Sequence, residues 1–496
     1  MSQPTSLPPA FDGMVQDFPR NNLPKGKCWN LVDYIPEGLG APATERGGWA
    51  FLSAALTVVD ASATYVKAML NAPFNAGTQL LVIDDNAKLI KVVAGVNTLI
   101  SGTANKPVQN PFMHQQLVVI PSPDGSTASQ KYDGTTLAGL SGSAPPGRYG
   151  CVFVNFSYLG GTAAQPQRGY ASAVGDPTTY VQSGVDASYL DVSFPIRAMA
   201  ALPNVMLWFG DERTARFRGT TPSGVAEDMQ LDDPVFNYGT LDARSVAVNG
   251  GLAVFANAIG VFLTNGTTTP EDLTKSCGIS KYWRDLVSAA NGYSASTWTI
   301  SSGWFGSIVL VCVMNGSTLV DTIAFDTVKR SVIRFSNLKT QAFAAAGSAG
   351  QELYAGGRAT PRVMQLSTMW TPGSSYKNDG DGTPVLGVWE SPFYDTQRVG
   401  SQRWHDLYPD YDLRDAASDD PTMTYAYCTS PEAGAAYTTL SPVAGETTKR
   451  TTTRIPIRMK NRGLGFKVTR QNAASFARMY GLGATVYSRE GSRLDA

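Results

Sequence analysis

His114 and His405 are the two histidines of this chain, so imidazole-based proton transfer or metal ligation must use one or both. A Ser-His-Asp hydrolase on a strand-turn-helix elbow would show Gly-x-Ser-x-Gly, which exposes the hydroxyl on a sharp turn. The nearest stretch, Gly139-Leu140-Ser141-Gly142-Ser143, lacks the closing glycine and reads as a loop. His114 stands near Pro111 in an expected loop, and His405 lies beside Asp406 in an acidic strand. Both read as surface histidines. The five cysteines (Cys28, Cys151, Cys277, Cys312 and Cys428) are odd in number and contain no Cys-x-x-Cys pair, so neither a zinc knuckle nor a redox motif is present. Cys151 and Cys312 fall inside apolar runs and read as small buried hydrophobes.

Carboxylates are the other source of chemistry. Asp379 and Asp381, and again Asp410 and Asp412, have the alternate spacing of calcium ligands. A calcium loop also needs further oxygen ligands and a bidentate carboxylate at a fixed distance, and neither stretch supplies them. Asp379 reads as a turn residue, and Asp410 with Asp412 as an exposed strand face. Ser122-Pro123-Asp124-Gly125 begins like the Ser-x-Asp-x-Gly box of sialidases without completing it. A glycosidase pair leaves no local motif, because its carboxylates can be far apart in the chain. No phosphate-binding loop, dinucleotide fingerprint or zincin motif occurs. No catalytic, cofactor-binding or metal-binding residue is therefore assigned, no cofactor is expected, and the chain reads as a non-enzyme.

The elements around these residues are strands. The chain has 496 residues, enough for about three domains, with Gly 49, Pro 30, Tyr 21, Phe 20 and only 16% charged residues. Strong helix formers are scarce, which points to an all-β protein. Prolines at 4, 8, 9, 19, 24, 36 and 42 deny residues 1–46 regular ladders, yet Phe11, Phe18, Trp29 and Tyr34 need a surface to cover them. An extended Pro-rich N-terminal docking arm, lying on some surface, is expected there.

From residue 47 to 372 a short apolar run recurs roughly every 45 residues, beginning at Leu80, Leu117, Cys151, Val205, Leu252, Ile308 and, more weakly, Leu353. Most runs are followed by turn residues such as Asp124-Gly125 and Asn315-Gly316, and several then lead into a second apolar run. Seven such units predict a β-propeller of about seven blades. Beyond the turn-rich stretch 371–384 the alternation has period two: Met423, Tyr425 and Tyr427 share one face. Ile455, Ile457 and Met459 share another, opposite Arg454, Arg458 and Lys460. Residues 373–496 are expected to form a C-terminal β-sandwich.

Net charge is zero, but its distribution is uneven. Eleven bases face three acids between 442 and 496, and eleven acids face four bases between 376 and 432. The two strips can pair within one chain or between neighbours in a ring, or the basic strip can face DNA phosphates. Pairing is the favoured reading. The N-terminus has no secretory pattern, and the longest apolar run, Ile308 to Met314, is far short of the roughly 20 residues a membrane helix requires. No membrane insertion is expected.

Residues 17–49, DFPRNNLPKGKCWNLVDYIPEGLGAPATERGGW, resemble the start of a family of tailed-bacteriophage tail proteins, with its Pro-rich arm and Arg-Gly-Gly-Trp-like entry into a propeller. The stretch from about Val385 to Arg489, with ESPFYD, GLGFKV and the terminal VYSREGSR, is similar to the sandwich that follows the propeller in tail hub or nozzle proteins of short-tailed phages. The resemblance implies a structural virion protein made in the host cytoplasm and built into the tail. It would form a homo-oligomeric ring around the DNA exit channel, attached to portal or adaptor proteins, with the arm lying on a neighbouring subunit or adaptor and genomic DNA at most passing non-specifically through a nearly neutral lumen. It carries over no catalytic residues. The reading from a different class is a glycan-directed host-binding module or depolymerase, with aromatics and carboxylates clustered on loops of one propeller face.

Overall fold

A computed structural model describes residues 5–7, 10–36, 43–45, 49–182, 188–222, 228–346, 352–366, 379, 383, 385–395, 402–414, 422–432, 434–440, 443–444, 451–452, 454–461, 463–471 and 476–487. Branched and aromatic side chains fill the recurring runs, and these suit a pleated surface packed on both faces. Five antiparallel sheets of four strands and one of five result. In chain order they cover residues 66–100, 112–139, 149–191, 198–236, 247–272 and 340–365, and we number them blades 1 to 6. The last is completed from the other end of the chain: Ala50–Phe51 adds its outermost strand, with Phe51 opposite Met364 and Ala50 opposite Gln365. The fold is an all-β propeller.

The propeller has six blades, not about seven. The run at Ile308 does form a four-strand meander over residues 298–334, but its outer strand Ser331–Arg334 does not end the sheet. Asn30–Val32 pairs with it, and Leu386–Asp395, Gly463–Gln471, Thr422–Cys428 and Thr438–Thr439 continue the same sheet, which reaches ten strands with Val443–Ala444. Periodicity registers a hairpin of apolar strands; what pairs on its outer edge is a long-range matter.

A seven-stranded sheet lies against the far half of this ten-stranded one. Gln402–Arg414 and Phe476–Tyr487 pair along its middle, with Ile455–Asn461 beside them. The two sheets share one core: Trp404, Leu407, Tyr411 and Ile455 from the first meet Trp389, Tyr425, Phe466 and Val468 from the second. The Trp404 and Phe466 rings are 6.0 Å apart. Ile455 and Ile457 are buried while Arg458 and Lys460 are exposed, as alternation requires. Arg458 sits at φ +51°, where the register against Gln402–Arg414 shifts.

Much of the N-terminal segment lies against its own chain. Phe11, Leu31 and Tyr34 are buried by it, while Phe18 stays 44% exposed. Phe11 packs on Trp389 at 5.4 Å, Thr5–Leu7 pairs with Leu482–Ala484, and Leu31 and Tyr34 are fully buried. Arg20 is buried too, donating to the carbonyls of Ser391 at 2.9 Å and Phe466 at 3.4 Å. A pattern of prolines and aromatics specifies docking, and only the fold decides onto what.

Adjacent blades meet by setting large side chains against glycines. A Cβ on Gly169 of blade 3 would stand 2.3 Å from the Trp208 ring of blade 4 and 2.9 Å from Met199. Trp208 is fully buried, so it has no room to retreat. Gly169→Ala is expected to destabilise the protein by about 1–3 kcal/mol, as overpacking does. Gly139→Ala, where nothing lies within 4 Å, is expected to be near neutral. Chemical-denaturation midpoints of the two variants check this; equal midpoints would mean the blade contact is looser than described.

Candidate functional site at the mouth of the axial channel

The innermost strand of each blade runs along the ring axis, so residues just ahead of these strands gather at one mouth of the channel. Lys67 opens Val66–Phe74, Arg148 precedes Tyr149–Phe153 and Arg197 precedes Ala198–Ala201. Arg244 lies in the short turn Ala243–Ser245 ahead of Ala247–Asn249. Arg358 follows Glu352–Gly357 and lies 3.7 Å over the Tyr65 ring. Below them the axis holds a cavity of about 390 Å³ lined by Leu70, Phe112, Cys151, Ala200, Trp304 and Phe343, among others. At its charged end is a recess of about 120 Å³ bounded by Arg148, Arg197, Asp242, Arg244, Tyr293 and Trp298, among others.

The cations there are unequally matched. Arg244 makes two hydrogen bonds to Asp242, at 3.0 and 2.9 Å. Arg197 pairs with Asp211 at 2.8 Å in an exposed position, where such a pair contributes little. Arg358 donates from Nε to the Gly316 carbonyl at 2.8 Å, while its Nη1 is buried with no partner. Arg148 Nε is likewise buried and unpartnered. Among the described residues, neither Lys67 nor Arg148 makes a side-chain hydrogen bond or an ion pair. Burial pushes the Lys67 ammonium down to about 8; Arg244, Arg358 and Lys106 add to this, and Asp242 opposes it.

Beside this mouth, loops of blades 4 and 5 bound a groove of about 570 Å³ with Asp211, Glu212, Arg213, Asn237, Tyr238 and Asn257 on its walls. Tyr238 is braced from behind by Phe262, their rings 4.5 Å apart.

The residues singled out from sequence fall elsewhere. His114 is not in a surface loop: it sits in strand Phe112–His114, 3% exposed. Its Nδ1 is 2.7 Å from Ser157 Oγ and its Nε2 3.1 Å from Asn155 Oδ1. Ser157 is wholly buried, so the trio joins blades 2 and 3 and offers no reachable nucleophile. The loop reading relied on Pro111, yet the strand begins just after it. His405 is half-exposed, its Nδ1 3.4 Å from Asp406. Asp124 caps its own turn, accepting from the amides of Thr127 and Ser126 at 2.8 Å each, and these hold its carboxyl well below the usual range.

Asp379, read as a turn residue, is buried: its amide donates to the Thr383 carbonyl at 2.9 Å, and its carboxylate accepts from the Trp49 amide at 3.4 Å and from Asn337 Nδ2 at 3.2 Å. Asp381 lies outside the described residues. Asp410 and Asp412 lie on strand Gln402–Arg414. All five cysteines are buried and unpaired, and burial pushes the Cys277 and Cys312 thiols up to about 11. Among the described residues, no group of three or more His, Cys, Asp or Glu is placed to hold a metal ion, and no helix is long and apolar enough to cross a membrane.

The charged strips meet in part within the chain. Arg454 pairs with Asp406 at 3.0 Å and Lys467 with Glu390 at 3.4 Å. The channel-mouth cations were not legible as a set, because each lies 47 or more residues from the next. The available signal was positional: a Lys or Arg at, or just ahead of, the start of several inner strands.

No protein-family model and no curated protein matches the chain. Among solved structures it is similar to BamB from Moraxella catarrhalis (10% identity over 60% of this chain and 82% of that one, TM-score 0.36). It is also similar to PorZ of the type-IX secretion system of Porphyromonas gingivalis (13% identity over 72% and 44%, TM-score 0.41). A third is BBS1N in complex with ARL6DN (10% identity over 67% and 99%, TM-score 0.39).

Proposed function

We propose that this chain is a non-enzymatic structural protein of a bacteriophage tail. In this reading it forms a homo-oligomeric ring around the DNA exit path, of the hub or nozzle type, held to portal or adaptor proteins. The observation that carries the reading is the ten-stranded sheet running from the propeller meander through Asn30–Val32 into the C-terminal strands. Continuous main-chain hydrogen bonding makes the two parts one stiff body, which suits a load-bearing element better than a hinged catalyst. The C-terminal strands act in it as a β-sandwich. The arm ties that sandwich to the propeller from within the chain. DNA passes between subunits of the ring, not along the propeller axis. A side-chain-lined cavity of about 390 Å³ admits no duplex, whose major groove alone is about 12 Å wide.

Arg458 and Lys460 are exposed bases on the outer face of the seven-stranded sheet. Reversing Arg458 with Arg458→Glu is expected to weaken ring assembly in a salt-sensitive way while DNA affinity stays negligible. Native mass measurement of the purified protein, alone and with portal-type partners, tests the reading. A strict monomer that never enters particles counts against it, and normal assembly with lost DNA binding would put the strip on the genome side.

The groove beside the channel favours a second reading. Tyr238, Asp211, Glu212 and Asn257 combine an aromatic ring with carboxylates and an amide on loops of one face. Such a groove suits a sugar, and the chain would then be a glycan-directed host-binding module or depolymerase. Glycan binding or cleavage abolished by Asp211→Asn or Glu212→Gln would promote this reading over the first.

A further inference from the structure

We propose that the cavity on the ring axis is a binding site for a small, uncharged aromatic compound that carries one hydroxyl or carbonyl group. This goes beyond the structural role proposed above and stands without it.

The space is held open by specific packing. Its walls are inner-strand residues, and Leu70, Phe112, Cys151, Ala200, Trp304 and Phe343 come from six different sheets. Two of the rings lie against glycines of the neighbouring strand. A Cβ on Gly150 would stand 2.4 Å from the Phe112 ring, and one on Gly303 would stand 2.6 Å from the Phe343 ring. Any side chain at either position would have to displace a ring. Trp304 is fixed as well, since its Nε1 donates to the Ala247 carbonyl at 3.1 Å. Gln109 donates to the carbonyls of Gly150 at 3.1 Å and Met199 at 2.8 Å, and Asn110 to that of Phe343 at 3.1 Å. These bonds tie the entry to blade 2 to blades 3, 4 and 6 around the space. The site is therefore preformed, and a ligand meets little ordering cost in the protein.

One hydrogen-bonding group on the wall is unanswered. Ser302 lines the cavity, is 6% exposed, and its Oγ has no partner among the described residues. Nearly all buried polar groups find a partner, and a ligand oxygen beside Ser302 supplies one. Water answers the hydroxyl but not the walls around it, because the side chains of Leu70, Phe112 and Phe343 offer it no hydrogen bonds.

The walls also set the class of occupant. Phe112, Phe343 and Trp304 suit another ring in offset or edge contact, and the Met113 and Met199 thioethers suit a ring edge. Among the described residues of the wall, Arg244 is the charged one, and its two bonds to Asp242, at 3.0 and 2.9 Å, already match its charge. A charged ligand would lose its hydration here and gain no counter-charge. The volume of about 390 Å³ lies within the range of roughly 300–1,000 Å³ that small-molecule pockets span.

The test is calorimetric titration of the full chain with 2-naphthol at about pH 7, against 2-naphthoate as a charged analogue of similar size. Thermal melting is read in parallel. The expected result is saturable binding of 2-naphthol with a raised melting temperature, and 2-naphthoate bound roughly tenfold more weakly or less tightly still. Ala345→Phe tests the location. Ala345 is on the wall and exposed, so a ring there fills the space without entering the packed core. Affinity is expected to fall roughly tenfold or more while the empty variant melts near the wild-type temperature. Ser302→Ala tests the polar contact. It removes a hydroxyl that has no partner, so the empty variant is expected to melt at or above the wild type, while affinity falls about threefold to tenfold. Ile259→Ser, in the groove beside the channel, is expected to bind as the wild type does. The proposal is overturned if 2-naphthol does not saturate, if 2-naphthoate binds as tightly, if Ala345→Phe keeps wild-type affinity, or if Ile259→Ser loses it. Unchanged affinity in Ser302→Ala overturns the part given to the hydroxyl.

Discussion

Removing residues 1–36 is expected to split the protein's unfolding into two transitions. Asn30–Val32 lies between Ser331–Arg334 of the meander and Leu386–Asp395, so its loss divides the ten-stranded sheet. The blade-closing strand Ala50–Phe51 is retained, and the propeller keeps its ring. The C-terminal sheets lose the cover of Phe11, Met14, Leu31 and Tyr34, each no more than 2% exposed. At about 1.5–3 kcal/mol per large buried side chain, that is roughly 6–12 kcal/mol. Such a loss is comparable with the whole stability of a domain. Differential scanning calorimetry should therefore show the C-terminal transition far below that of the propeller. A single transition at the wild-type midpoint would show that the segment is peripheral.

The second large effect is expected at Arg334. Its Nε is 2.9 Å from Asp321 Oδ2, and Asp321 is 4% exposed. Tyr282 donates its hydroxyl to the same oxygen, and the Thr322 amide donates to Oδ1 at 2.9 Å. The Arg334 carbonyl also accepts from the Asp33 amide at 2.9 Å, linking the ion pair to the N-terminal segment. Arg334→Met leaves the Asp321 carboxylate buried without its cation, at a cost of about 3–5 kcal/mol. Burial already pushes the Asp321 carboxyl up, and Arg334 is the main restraint. In the variant, the folded state holds that proton more tightly than the unfolded chain does. Its stability should then fall as pH rises from the ordinary carboxylate range of about 4 toward neutrality. The double variant Arg334→Met/Asp321→Leu is expected to recover most of the loss, since an apolar pair often replaces a buried ion pair without penalty. Denaturant midpoints measured at pH 5 and pH 7.5 check both statements. A loss below about 1 kcal/mol in the single variant would show that water solvates Asp321.

These two sites mark where sequence reading stopped. The meander's apolar strands were legible at Ile308 to Met314, but nothing local tells Ser331–Arg334 that its next neighbour will be Asn30–Val32, some 300 residues earlier. His114 shows the same limit on a smaller scale. A lone histidine after a proline resembles a loop residue until Ser157 and Asn155 of the next blade enclose it.

By itself the sequence determined what depends on near neighbours. Few helix formers and many branched and aromatic residues made the chain all-β, and runs recurring roughly every 45 residues made it a propeller. Alternation placed Ile455 and Ile457 inside and Arg458 outside, because successive side chains of a strand point to opposite faces. Tertiary structure alone decided which strand ends which sheet, what the N-terminal segment docks on, and that Lys67, Arg148 and Arg244 share one mouth. Those facts rest on contacts between residues far apart in the chain. Closing the ring brings the ends of its inner strands together, and local pattern carries no record of that closure.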